Sequence, residues 1–495
     1  MTPSLRETIN AGSFFTLDRE DILRIIAAEF PSELERLKTA YSIPPPVPNS
    51  AKAKARSESS SSSSSPYPYP SPSQLLFNSD YDEVNRTLVS LEALRWAHND
   101  EYAEFVARQD PDPAVRLSAD SFRWIRDLFC RVIGTGSDSA DNLYTLVVSI
   151  VINDLGKSAS LAEDFQGEAG KSEDARGNHD LLLYRVFTRA THLVPCLAKL
   201  PHKHRAHLER GIKMGASFNF GQLAQGENVP VSLVGLDCMR DNLVAFDLRF
   251  LEQILDIAGA AGHEDHTCAK KLTEPIFQSH KIVYEVSVAY LRGLLGRREA
   301  YDAHLVKMIV AFSFHKKCDK GQKLDISTPE DRAVMRLLCI CNASGLERAE
   351  LVWNAFYGVL GDETRRALVR GLNADGSVED PAVQATYIPA VCNAAIMSAH
   401  SLPKDKQKKA LGAVFRYLAR VQIVAQEERE TFPRNTAVIE RDIRELALPV
   451  VSSPQFLANP DVLDVVDIPR GEVAILLPER HSGEDKGMVC LDKCQ

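Results

Sequence analysis

The chain has 495 residues, 44% of them hydrophobic and 25% charged, an ordinary globular composition with room for two or three domains or one large helical body. Its formal net charge of -9 argues against non-specific binding to nucleic acid, which needs phosphate-neutralising Lys and Arg, so no nucleic-acid partner is expected. No uncharged apolar stretch reaches the roughly 18 residues that read as a membrane span, so no membrane association is expected.

The amino terminus, MTPSLRETINAGSFFTLDRED, shows no basic segment followed by an apolar core. No secretory leader is expected, and the ten cysteines should be reduced thiols of a cytoplasmic or nuclear protein. Residues 1–42 form an N-terminal segment with one predicted amphipathic helix, 18–40. Ile22, Leu23, Ile25, Ile26, Phe30, Leu34 and Leu37 recur on one of its faces, which should dock on the main body. Residues 43–76 include SESSSSSSSPYPYPSPS and read as a disordered linker, because serine builds no core and proline favours extended backbone.

From residue 79 the pattern is helical almost throughout. Helices are predicted at 82–108, 118–133, 139–154, 179–199, 202–214, 239–259, 268–296, 299–315, 329–343, 346–359, 383–400, 405–427 and 434–446. VAILLPER, near 473–480, is the one good strand candidate. The expected fold is all-α, a multi-helix orthogonal bundle with its body at 77–449 and a peripheral tail at 450–495.

Chemistry concentrates where the apolar run of 139–152 meets Asn153-Asp154-Leu155-Gly156-Lys157. A carboxylate at the end of a buried helix costs several kcal/mol unless it is paired or bound to a cation. His179 follows, then His202, His204 and His207 within PHKHRAH, then Asp237 and Asp241 in VGLDCMRD. Carboxylate and imidazole ligands on successive helices are what a metal site in a helical bundle needs. Such a set suits Mn, Fe, Zn or Mg rather than a thiolate metal.

VINDLGK resembles the helix-ending His-Asp-x-Gly-Lys motif of the HD superfamily of metal-dependent phosphohydrolases. NHDLLLYRVF, AHLERGIKMG and QGENVPVSLVGLDCMRD resemble, in order, three later segments of its HD-GYP branch. The resemblance covers about 140–250 and implies an HD-like core there. It implies metal ligation by Asp154, His179, His204 or His207, and Asp237 or Asp241, with Lys157 as the catalytic-site residue that contacts a phosphate. Asn153 stands where that family has the histidine of its name, so one metal is expected rather than two.

On this reading the protein is a helical metal-dependent hydrolase, its bound ion activating water for phosphoester cleavage, or O₂ if the ion is iron. The alternative is a non-catalytic helical scaffold that binds protein partners in its grooves. The sequence names neither a small-molecule substrate nor a protein partner. Two further stretches stand out. His263 and His266, in the loop AGHEDHT, form a second imidazole pair. SFNFGQLAQGENVP, 217–230, reads as a long ordered loop of the kind that lines sites, and resembles an uncharacterised family of fungal proteins. Cys318, Cys339 and Cys341 lack the paired spacing of a zinc knuckle.

Overall fold

The computed structural model describes residues 3–40, 67–169, 178–312 and 324–478. It is 66% helical, with a small three-stranded sheet, so the all-α expectation holds for the bulk of the chain. The chain divides into two compact units, each assembled from separated segments: 1–217 with 241–277, and 218–240 with 278–495.

In the first unit the predicted 18–40 helix is two helices, Arg19–Glu29 and Pro31–Leu37. Phe30, at φ -121° and ψ 48°, leaves the helical region ahead of Pro31, which has no N–H to continue the ladder. The predicted docking face is nonetheless buried throughout, from Ile22 to Leu37. Residues 43–66 of the expected linker lie outside the described residues. Its last part is a correction: Tyr67 and Tyr69 are half-buried, and Pro72–Phe77 is a helix capped by Ser71. Proline at N1 and a serine cap are strong helix-start signals inside a composition that reads as linker.

Asp82–Asn99 is the buried central helix of this unit. The predicted span 82–108 stops early because Asp100 takes the left-handed conformation, φ 64°. Leu243–Gly259 packs closely on it, since a Cβ on Gly259 would stand 2.2 Å from Ser90 Oγ and 2.4 Å from Arg86 O. Around this pair lie Ala119–Ile133, Ser139–Ile152, His179–Arg189 and His202–Gly215. The helix Ala159–Ala169 has no counterpart among the predicted elements.

The second unit carries the sheet, in order β1 (Ala382–Thr386), β2 (Thr436–Asp442) and β3 (Glu472–Leu476). β1 and β2 are parallel, β2 and β3 antiparallel. The predicted strand near 473–480 is β3. The predicted helices 383–400 and 434–446 are corrected to strand followed by helix, with helices only at Ile388–Ala399 and Arg444–Val451. β1 is buried at every position and β2 at most, so neither shows the alternation that marks a half-exposed strand. The 450–495 segment is not a peripheral tail as far as it is described, because β3 completes the sheet and Asp461 and Asp464 are ion-paired to Arg416. The unit's helices include Arg297–Ala311, Pro329–Ile340, Leu346–Gly358, Asp362–Asn373 and Lys404–Val421.

Candidate functional site

The Ser139–Ile152 helix is buried from Leu143 to its end, so the polar residues that follow it emerge inside the first unit. Asn153 closes the helix, and Leu155–Lys157 forms one 3₁₀ turn. Gly156 is required there by close approach. A Cβ would stand 1.9 Å from the backbone oxygen of His179, which the start of the His179–Arg189 helix presses against it.

The turn brings Lys157 back onto Asp154, with Nζ 2.8 Å from Oδ1 and 3.6 Å from Glu83 Oε2. Glu83 is fully buried in the first turn of the Asp82–Asn99 helix, and Arg86 Nη1 donates to its Oε1 at 2.6 Å. Burial and the charge of Asp154 push the Glu83 carboxyl up to about 8, against Lys157 and Arg86. Burial would raise Asp154 as well, but the Lys157 ammonium, a hydrogen bond from Glu83 and Arg86 outweigh it and hold Asp154 well below the usual carboxylate range. The pair therefore carries one proton at neutral pH, on Glu83, shared with an ionised Asp154. Asp256, on the Leu243–Gly259 helix, is raised to about 6 by burial and by Asp154.

A second ion group flanks the same segment. Arg249 Nη1 donates to Asn153 Oδ1 at 2.8 Å and is ion-paired to Glu252, while Nη2 lies 3.8 Å from Asp180. Ser149 Oγ donates to Glu252 at 2.7 Å. Gly215 of GIKMG makes room for Arg249, since a Cβ there would stand 3.0 Å from Nη2. The amide at 153 thus has a physical role. It accepts from a guanidinium, which an imidazolium in its place would repel.

The predicted metal ligands do not come together around Asp154. His179 turns its imidazole outward, 40% exposed and 3.6 Å from Asp180, although its backbone touches Gly156. His204 is buried and bonds Asn142 Oδ1 at 3.0 Å, with His207 next to it at a ring separation of 6.2 Å. Asn142 precedes Asn153 by eleven residues on one helix, about 16 Å at 1.5 Å per residue, so these histidines belong to its opposite end. His202 and Asp241 are exposed. Asp237 belongs to the second unit, where Tyr290 donates to it at 2.7 Å and Arg240 at 2.9 Å. Lys157 is largely buried, its ammonium directed at Asp154 and Glu83. Among the described residues no three His, Cys, Asp or Glu side chains are placed to hold a metal ion.

Glu83, Arg86, Arg249, Glu252 and Asp256 were missed by sequence reasoning. One signal was available: Arg249, Glu252 and Asp256 recur at three- and four-residue spacing along a helix whose other residues, Asp247 and Gln253 apart, are apolar or glycine. The 217–230 loop is pinned rather than open. Arg336, buried, donates to the backbone oxygens of Gly226, Glu227 and Asn228, and Tyr301 to those of Gly226 and Asn228. His266 donates to the backbone of Tyr69. Cys339 and Cys341 are buried free thiols, and Cys318 lies outside the described residues.

No helix among the described residues is long and apolar enough to cross a membrane. No curated protein and no solved structure matches the chain. A family model matches residues 23–463, a span that takes in the whole ion network and the first two strands of the sheet, and the chain therefore belongs to the family of unknown function DUF6829.

Proposed function

We propose that this protein is a non-catalytic helical scaffold that binds protein partners inside the cell, and that its HD-like constellation is an internal ion lock. One observation carries the reading. The Lys157 ammonium lies 2.8 Å from Asp154 and 3.6 Å from Glu83, so the chain itself supplies a cation to Asp154, the carboxylate of this cluster that the resemblance assigns to a metal. Arg249 does the same for Asn153, Glu252 and Asp180. Each charged group is met by a fixed counter-charge, an arrangement that rigidifies a helix junction without leaving an open coordination position.

The competing reading is a single-metal phosphohydrolase using Mn, Fe, Zn or Mg. It is favoured by the charge of Asp154 acting on both Glu83 and Asp256, and it requires Lys157 to swing away. The two readings separate in one experiment. The protein is dialysed against each metal, freed of excess, and assayed for metal content and for hydrolysis of bis(p-nitrophenyl) phosphate. The scaffold reading expects no stoichiometric metal and no rate above the metal-only blank. Stoichiometric metal that Asp154→Asn abolishes would overturn it.

A further inference from the structure

The polar loop after the Leu243–Gly259 helix, with Arg19 and Arg108, forms a notch in the first unit. Tyr67-Pro68-Tyr69-Pro70 lies in it, with the two tyrosines half-buried and the two prolines exposed. Arg108 covers the Tyr67 ring at 5.0 Å, and Arg19 covers the Tyr69 ring at 4.3 Å. The His266 ring stands between them, 4.8 Å from Tyr67 and 5.6 Å from Tyr69. Three hydrogen bonds complete the contact. His266 Nε2 donates to Tyr69 O at 2.9 Å, Arg19 Nη1 donates to Pro70 O at 3.3 Å, and the Tyr67 hydroxyl donates to Glu264 O.

The notch is itself held in shape. Arg108 Nε is 3.2 Å from Asp265, whose carboxylate also accepts from the backbone and hydroxyl of Thr267. Arg19 is ion-paired to the buried Glu92. Both guanidiniums are thus positioned by groups that belong to the notch and not to the segment lying in it.

We propose that this notch is a recognition site for a tyrosine–proline segment of a partner protein, and that residues 67–70 are an internal copy of that ligand which closes the site. What is recognised supports this. The notch reads two aromatic faces, two backbone carbonyls and one phenol hydroxyl, features that any Tyr-Pro-Tyr-Pro stretch carries. Proline fixes φ at two of its four positions, so such a stretch loses less backbone entropy on docking. Cation–π contacts of this kind reward an aromatic ring wherever it comes from. None of the contacts depends on the segment being covalently part of the chain. The inference names the partner chemistry of the scaffold proposed above and rests on that reading. Peptide affinity involves no metal, so the two can fail separately.

The test uses the full-length protein and a fluorescein-labelled peptide with the sequence of residues 65–71, SPYPYPS. Replacing both internal tyrosines, Tyr67→Ala with Tyr69→Ala, empties the notch. Fluorescence anisotropy should show the variant binding the peptide about tenfold more tightly than wild type, because the closed fraction no longer competes. Adding Arg19→Ala should abolish that gain, and a peptide with both tyrosines replaced by alanine should not bind. No binding to a variant with the wild-type helical signal, or equal binding to variant and wild type, overturns the proposal. Should the double variant not fold, excess peptide added to wild type should raise hydroxyl-radical labelling of the half-buried Tyr67 and Tyr69 rings. Unchanged labelling at saturating peptide would also overturn it.

Discussion

Lys157→Met removes the ammonium beside Asp154 and keeps a side chain of similar length. In the wild type Asp154 is ionised although its side chain is only 7% exposed. Without Lys157 that charge keeps Arg86 and the Glu83 proton, and its cheapest relaxation is to take up a proton. Protonating a carboxyl of ordinary pKa 3.8 at pH 7 costs about 4 kcal/mol, at 1.36 kcal/mol per pH unit. The lost stabilisation of the depressed carboxyl adds to that figure, while the share of charge that Arg86 still compensates and the relief of burying the Lys157 ammonium subtract from it. The expected loss is about 3 kcal/mol, the range for breaking a buried pair. At pH 5 the same arithmetic gives less than about 2 kcal/mol. The sign follows from linkage. The depressed carboxyl of the wild type adds stability above pH 3.8 and loses it on acidification. The raised carboxyl of the variant is stabilising when protonated and loses that contribution as pH climbs. The gap between the two proteins should therefore widen from pH 5 to pH 7. Urea titrations at both pH values measure it, in a Trp353→Phe background so that Trp96 and Trp124 report on the first unit. A loss below about 1 kcal/mol at pH 7, the size of an ordinary substitution, would refute the ion-lock reasoning. So would an equal loss at the two pH values.

Gly156→Ala should cost about 3 kcal/mol, because its Cβ meets a backbone oxygen that cannot move without displacing a helix start, and an unchanged melting temperature would contradict the close approach. Asn153→His restores the residue of the HD motif yet should bind no metal and lose about 2 kcal/mol with the Arg249 hydrogen bond; metal content and the urea midpoint check both halves. Glu83→Gln tests where the shared proton resides. Glu83 is raised from 4.5 to about 8, so its stabilising proton is fully bound below pH 4.5 and is lost as pH rises through 8. Wild type should accordingly lose stability relative to the glutamine variant between pH 5 and pH 9 in paired thermal melts, and parallel curves would place the proton elsewhere.

The helical body was legible because amphipathic periodicity is a local property, and the buried faces of 22–37 and 143–152 were read correctly from it. β1 and β2 were not legible. Their runs AVQAT and TAVIERD are buried almost throughout and lead directly into helices, so they continue the helical pattern of their neighbours. The pairing of Asp154 with Lys157 follows from a three-residue spacing and could be read. Their partners could not, since Glu83 and Asp256 arrive from helices more than seventy and one hundred residues away, and a charged residue on an amphipathic helix carries no local mark of burial. The histidines at 204 and 207 misled for the converse reason. Order along the chain says that helices are neighbours, but not which ends of them meet.

β2 is the middle strand of its sheet, yet both of its hydrogen-bonding edges are filled by segments distant in sequence, β1 some fifty residues before it and β3 some thirty after. Whenever β3 is undocked, one edge of β2, whose Ala437, Val438 and Ile439 are fully buried in the finished fold, presents unpaired backbone groups. In that state the second unit is most exposed to pairing with another chain. Once β3 has docked, the hazard is lowered in two ways. The new outer strand opens with an exposed Glu472, and Pro478 follows its end, so the edge it offers to a further strand is short and charged.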